Sequence, residues 1–121
     1  MMSNPFVFLD LRTSDAARSR RFYTELFDWT IVDVPAGQTT MPMFTGADGP
    51  WGGLTALAAD DDRRAQWIPY APVANLDAAV ARATQLGATV VRARVELPQG
   101  AVAVIDDPTG ATLALWEAKP A

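Results

Sequence analysis

The sequence predicts an α+β fold assembled from two βαβββ units, and three observations in its 121 residues point to it. Two helical segments each open on Asp-Ala-Ala, at Asp15 and again at Asp77. A strand-like segment precedes each of them, "FVFLDLR" before the first and "WIPYAPV" before the second. Three β-rich runs then follow each helix, separated by turn-forming residues. An internal repeat of this kind governs the reading of the whole chain, because each half is one supersecondary unit. The first unit spans about residues 5–58, the linker 59–65 and the second unit about 66–118, within a single domain.

Each element has a local reason. Residues 14–27, SDAARSRRFYTELF, are amphipathic: Ser14 is placed to cap the first turn, and Asp15 puts negative charge beside its free N–H groups. Ser19, Phe22, Tyr23 and Leu26 fall on one face, the expected buried one, while Arg18, Arg21 and Glu25 lie away from it. The runs "WTIVDV" (29–34), "TTMPMF" (39–44) and "GGLTAL" (52–57) read as strands, with turns at Pro35-Ala36-Gly37 and Asp48-Gly49-Pro50. The acidic run at Asp60, Asp61 and Asp62 lacks the alternating ligand spacing of a calcium loop and reads as a solvated connector. In residues 75–86, Asn75 caps, Ala79, Val80, Ala83 and Leu86 form the expected stripe, and Gly87 ends the helix. The runs "TVVRARV" (89–95), "AVAVID" (101–106) and "ATLALWE" (111–117) complete the second unit, with turns at Pro98-Gln99-Gly100 and Asp107-Pro108-Thr109-Gly110.

Composition excludes whole classes of chemistry. The chain has no cysteine, which removes disulfides, thiolate nucleophiles and Cys-type zinc sites. It has no histidine, so the usual general base near neutral pH and the commonest transition-metal ligand are missing as well. A net charge of −4 without a Lys/Arg block argues against nucleic acid as a partner. No apolar run approaches the ~18 residues of a membrane span, and the N-terminal stretch lacks a signal-peptide pattern, so a cytoplasmic protein without a membrane partner is expected.

The segments "DLRTSDAARSRRFYTELFDW", "PYAPVANLDAAVARATQLGATVV" and "VIDDPTGATLALWE" resemble the vicinal oxygen chelate superfamily, the glyoxalase, bleomycin-resistance and dioxygenase group, over about residues 6–118. The resemblance implies an open, curved mixed β-sheet barrel with the helices outside and a ligand in its concave interior. Metal-using members place ligands on the first and last strands of each unit. The matching positions here are Phe8, Ile68, Ala114 and, within one residue, Thr55 or Ala56. Three hydrocarbon side chains and one neutral hydroxyl cannot hold a divalent cation, so neither a metal nor any other cofactor is expected.

If Phe8 stands at a cavity position, the alternation of a strand sends Asp10 and Arg12 to the same side and Val7, Leu9 and Leu11 to the helix side. The same count places Ile68, Tyr70 and Pro72 inward on "WIPYAPV", and Thr112, Ala114 and Trp116 inward on the last strand. Trp51, with Trp67, Met41 and Met43, is expected near the rim. Apolar walls with a few placed polar groups suit a small molecule. Asp10 and Arg12 read equally as a structural ion pair or as ligand contacts, and Tyr70 and Trp116 as pocket wall or dimer interface. Trp29 reads as core. The expected function is metal-independent binding of a hydrophobic or aromatic ligand such as an antibiotic, by a homodimer of the kind the resemblance implies. The alternative is a metal-free isomerase, lyase or cyclase in which Asp10 acts as acid or base, Arg12 stabilises an oxyanion and Tyr70 supplies a hydroxyl.

Overall fold

The structure is a computed structural model that describes residues 4–120. Its contacts divide into two compact units, one of Phe8–Ile68 and one from Pro69 onward together with the chain before Phe8. Among the described residues no helix is long and apolar enough to cross a membrane.

The first unit runs β1 (Phe8–Thr13), α1 (Ala16–Phe27), β2 (Thr30–Ala36), β3 (Thr39–Gly46) and β4 (Gly49–Ala56). Its strands lie in the order β2-β3-β4-β1, antiparallel except for the β1–β4 pair, which is parallel with Asp10 opposite Gly53 and Arg12 opposite Thr55. The β2–β3 hairpin turns on Gly37 at φ 67°, a conformation that favours glycine. The cap of α1 is Asp15 rather than Ser14: its carboxylate accepts the Arg18 N–H at 3.0 Å. Thr13 fixes the entry by accepting both the Asp15 N–H at 3.1 Å and the Ser19 hydroxyl at 2.9 Å.

The core of this unit is Leu11, Phe44 and Leu54, with Ala16, Tyr23, Trp29, Ile31, Trp51 and Trp67 packed around it. Trp29 is thus a core residue, as expected. Phe22 and Leu26 depart from expectation, since they are 56% and 58% exposed. Tyr23 is the α1 side chain aimed at the core, and a neighbour in sequence is rotated about 100° around a helix, which swings Phe22 to the flank.

The second unit carries most of β5 (Gln66–Pro72), then α2 (Leu76–Gln85), β6 (Thr89–Leu97), β7 (Gly100–Asp106) and β8 (Thr112–Ala118). The order is β5-β8-β7-β6, again with one parallel pair, β5–β8, in which Tyr70 stands opposite Ala114. Helix α2 lays Leu76, Ala79, Val80 and Ala83 on Ala101, Ala103, Ile105 and Leu115. Leu86 lies past the end of α2 and is exposed, not part of the buried stripe, and Leu76 takes that place. Asn75 caps as expected, accepting the Ala78 N–H at 3.0 Å.

A second cap comes from the far end of the unit. Glu117 accepts the Leu76 N–H at 2.7 Å and meets Arg94 at 3.5 Å through its other oxygen. Arg94 also holds Glu96 at 2.6 Å and Asp77 at 3.3 Å, and these carboxylates, Glu96 first, raise its pKa above the ordinary arginine value. One guanidinium thereby ties β6, α2 and β8 together. Glu117→Ala removes a charge-assisted cap and is expected to cost about 1–2 kcal/mol, read as a lower urea midpoint at unchanged slope. The β7–β8 turn is organised by Asp107, whose Oδ1 accepts from the Thr109 hydroxyl, the Thr109 N–H and the Ala111 N–H at 2.7, 2.8 and 3.0 Å. Those donors, the hydroxyl foremost, hold the Asp107 carboxyl below its ordinary 3.8.

Candidate functional site

Period-two alternation along β1 sends Leu11 to the core beneath α1 and leaves Phe8, Asp10 and Arg12 on the other face of the sheet. The parallel register adds Gly53 and Thr55 from β4 to that face. The structure therefore brings together four of the residues singled out from the sequence, Phe8, Asp10, Arg12 and Thr55. Asp10 is 2% exposed. Its Oδ2 accepts the Arg12 Nε–H at 3.2 Å and its Oδ1 accepts the Thr55 hydroxyl at 2.9 Å.

Gly53 makes this arrangement possible, a role that strand alternation alone does not reveal. A Cβ at Gly53 would lie 2.7 Å from Asp10 Oδ1 and 3.3 Å from the Phe8 ring. The absence of a side chain lets Asp10 Oδ1 approach β4 this closely. The available signal was a glycine inside a strand pattern, which marks a close approach.

In the second unit Tyr70 and Trp116 share the sheet face away from α2, with ring centroids 6.0 Å apart and planes 39° apart. Ala114, fully buried, pairs with Tyr70 between them. The Trp116 ring lies over Gly100, where a Cβ would meet Trp116 Cζ2 at 2.8 Å and would also press on the Glu117 carbonyl oxygen. Thr112 donates its hydroxyl to Asp106 at 2.7 Å. Ile68, 2% exposed, ends the first unit.

Trp51 sits elsewhere. Phe44 pairs with Gly52 but Thr45 pairs with Pro50, so a bulge leaves Trp51 unpaired in the ladder and turns it toward Phe44. It stacks on Phe44 at 5.1 Å and meets Trp29 edge-on at 4.9 Å. Trp67 joins the same cluster, 5.5 Å from Phe44 and donating to the Tyr23 hydroxyl at 3.1 Å.

The donor set does not suit a resident divalent metal. Phe8, Ile68 and Ala114 have no lone pair to give, and the Thr55 hydroxyl is directed at Asp10. In the first unit a cation at Asp10 would stand beside the Arg12 guanidinium. Among the described residues no group of three or more His, Cys, Asp or Glu side chains comes together. Oxygen-liganded cations need more donors than this.

Comparison with known proteins agrees with the topology. A family model described as the Glyoxalase/Bleomycin resistance protein/Dioxygenase superfamily matches residues 6–115. The anthracycline biosynthesis protein DauV of Streptomyces sp. (strain C5) is 30% identical over 114 residues, covering 94% of this chain and 42% of its own length. The chain thus spans about two fifths of that curated relative. Methylmalonyl-CoA epimerase from Mycobacterium tuberculosis superposes with a TM-score of 0.59 at 15% identity, over 99% of this chain and 94% of the other. An extradiol ring-cleaving dioxygenase from B. fuscum gives 0.62 at 17% identity, over 96% of this chain and 33% of the other. At such identities the two solved structures share the fold alone.

Proposed function

The chain belongs to the Glyoxalase/Bleomycin resistance protein/Dioxygenase superfamily, and from that premise we propose that it binds a hydrophobic or aromatic small molecule without a metal. One observation carries the proposal: hydrocarbon at Phe8, Ile68 and Ala114, where metal-using members of the resembled family place ligands. The sheet faces offer rings instead of donors, Phe8 in the first unit and the Tyr70–Trp116 pair in the second. Stacking on such rings contributes about 0.5–1.5 kcal/mol beyond burial. A relative named for anthracycline biosynthesis makes an aromatic antibiotic a natural first ligand to try. In this proposal the protein acts in the cytoplasm as a homodimer, so light scattering is expected to give twice the mass of the chain, and a mass equal to that of one chain would refute the dimer.

Equilibrium dialysis against an anthracycline and a panel of flat aromatic compounds tests the reading. At least one compound is expected to bind saturably at micromolar concentration, and Trp116→Ala to weaken it roughly two- to tenfold. No binding by any compound at high micromolar concentration removes the proposal. Tryptophan emission is a poor substitute, because Trp29, Trp51 and Trp67 sit together in the core cluster and dominate the signal.

The burial of Asp10 favours a second reading, a metal-free isomerase, lyase or cyclase acting on a small oxygenated substrate. There Asp10 moves a proton and Arg12 stabilises the developing oxyanion. It ranks second because both Asp10 oxygens are already engaged, by the Arg12 guanidinium and the Thr55 hydroxyl. Full turnover by Asp10→Asn in any activity found removes Asp10 from the chemistry.

A further inference from the structure

The class of ligand follows from what Arg12 leaves unused, and the inference rests on the binding reading above. The Arg12 side chain is only 12% exposed. Its Nε–H is spent on Asp10 Oδ2. Among the described residues no protein acceptor meets either terminal nitrogen, Nη1 or Nη2. A guanidinium carries five N–H donors in a rigid fork, and four of them are on those two atoms. Among the described residues no buried side-chain nitrogen or oxygen lacks a partner, so these two nitrogens are reachable from solvent even though most of the side chain is covered.

Asp10 has a different part. Its Oδ1 takes the Thr55 hydroxyl and its Oδ2 takes Arg12, so both oxygens are already bonded within the unit. Gly53 leaves room for Oδ1 in this position. Asp10 is therefore a positioning residue. It grips the guanidinium from the side and fixes the direction of the opposite, forked edge.

We propose that the Nη1/Nη2 edge of Arg12 receives the two coplanar oxygens of a carboxylate borne on an aromatic or otherwise apolar body. Planar two-oxygen groups match the fork with two parallel hydrogen bonds. Asp10 nearly cancels the charge of Arg12, so a carboxylate is held by the geometry of the donor fork, and the repulsion from Asp10 is smaller for a monoanion than for a more highly charged group. A phosphate, with about −1.5 to −2 charges, would be repelled by the neighbouring carboxylate. The body of the ligand has Phe8 on the same face to lie against. The net charge of −4 opposes an anion only weakly, since fields from distant charges are screened beyond about 8 Å.

The test uses the full chain and two probes of one shape, 2-naphthoate and the neutral 2-acetylnaphthalene, with affinities measured by calorimetry. Wild type is expected to bind 2-naphthoate at least tenfold tighter. Arg12→Lys keeps the charge beside Asp10 but loses the fork; it should weaken 2-naphthoate about tenfold and leave 2-acetylnaphthalene within twofold. The Nη resonances of Arg12 in ¹⁵N-labelled wild type should shift with 2-naphthoate and stay put with the ketone, a readout that needs no variant to fold. Equal affinity for the two probes, or an Arg12→Lys protein that binds 2-naphthoate as wild type does, overturns the inference while leaving the binding reading intact. Displacement of 2-naphthoate by inorganic phosphate more readily than by acetate overturns the carboxylate assignment. Binding of neither probe, when a compound of the aromatic panel does bind, overturns the inference alone; no binding by the probes or the panel overturns both.

Discussion

Phe44→Ala is expected to destabilise the protein by about 3–5 kcal/mol, the range for deleting a fully buried aromatic ring. Phe44 is 0% exposed and stands at the centre of the first unit's core. Trp51 stacks on it at 5.1 Å, Trp67 lies tilted at 5.5 Å, and Trp29 and Tyr23 meet it edge-on at 5.7 and 6.3 Å. Removing the ring opens a hole bordered by three indoles and a phenol, and such large rigid groups collapse poorly into it. Urea denaturation followed by far-ultraviolet circular dichroism gives the size of the loss. Near-ultraviolet dichroism, which reports fixed aromatic packing, should fall sharply even where the variant remains folded. A loss below 1 kcal/mol would mean that these rings do not form the core.

Arg12→Met is the second large effect, with an expected loss of about 2 kcal/mol. It leaves the carboxylate of Asp10, 2% exposed, without its guanidinium. Breaking a fully buried pair costs roughly 3–5 kcal/mol, and the 12% exposure of Arg12 reduces that through solvent screening. The informative comparison is the double variant Asp10→Asn/Arg12→Met, which removes both charges and should recover at least half of the loss. Equal stability of the single and double variants would show that Asp10 does not depend on Arg12. Acid should act in the same direction elsewhere: the stability that the Asp107 carboxylate lends the β7–β8 turn is present above its unfolded value and is lost as pH falls through its lower folded value.

Much of this architecture is legible in the residues themselves. The repeated Asp-Ala-Ala openings, the turn residues and the alternation of each run locate both helices and all eight strands, because those signals are local. What escapes the sequence depends on packing. The face of α1 contains Ser19, Phe22, Tyr23 and Leu26, and only the finished sheet decides that Tyr23 goes in while Phe22 and Leu26 stay exposed. Asp15 displaces Ser14 as cap because Thr13, at the end of β1, receives the Asp15 N–H and so sets where the helix starts.

The site shows the same division. Alternation suffices to put Phe8, Asp10 and Arg12 on one face, whereas Trp51 follows no simple count, since a bulge after Phe44 adds one residue there. Gly53 is silent until the register with Asp10 is known. The unused edge of Arg12 is silent too, because a sequence states that a guanidinium exists and not which of its donors are spent.

In the proposed function, recognition rests on stacking and on the Asp10–Arg12 pair and not on chelation. Its most direct test is a calorimetric titration of one bound aromatic compound into the protein before and after exhaustive treatment with EDTA. Dissociation constants equal within twofold are expected. Affinity that disappears with the chelator and returns on adding a stoichiometric divalent cation would contradict it.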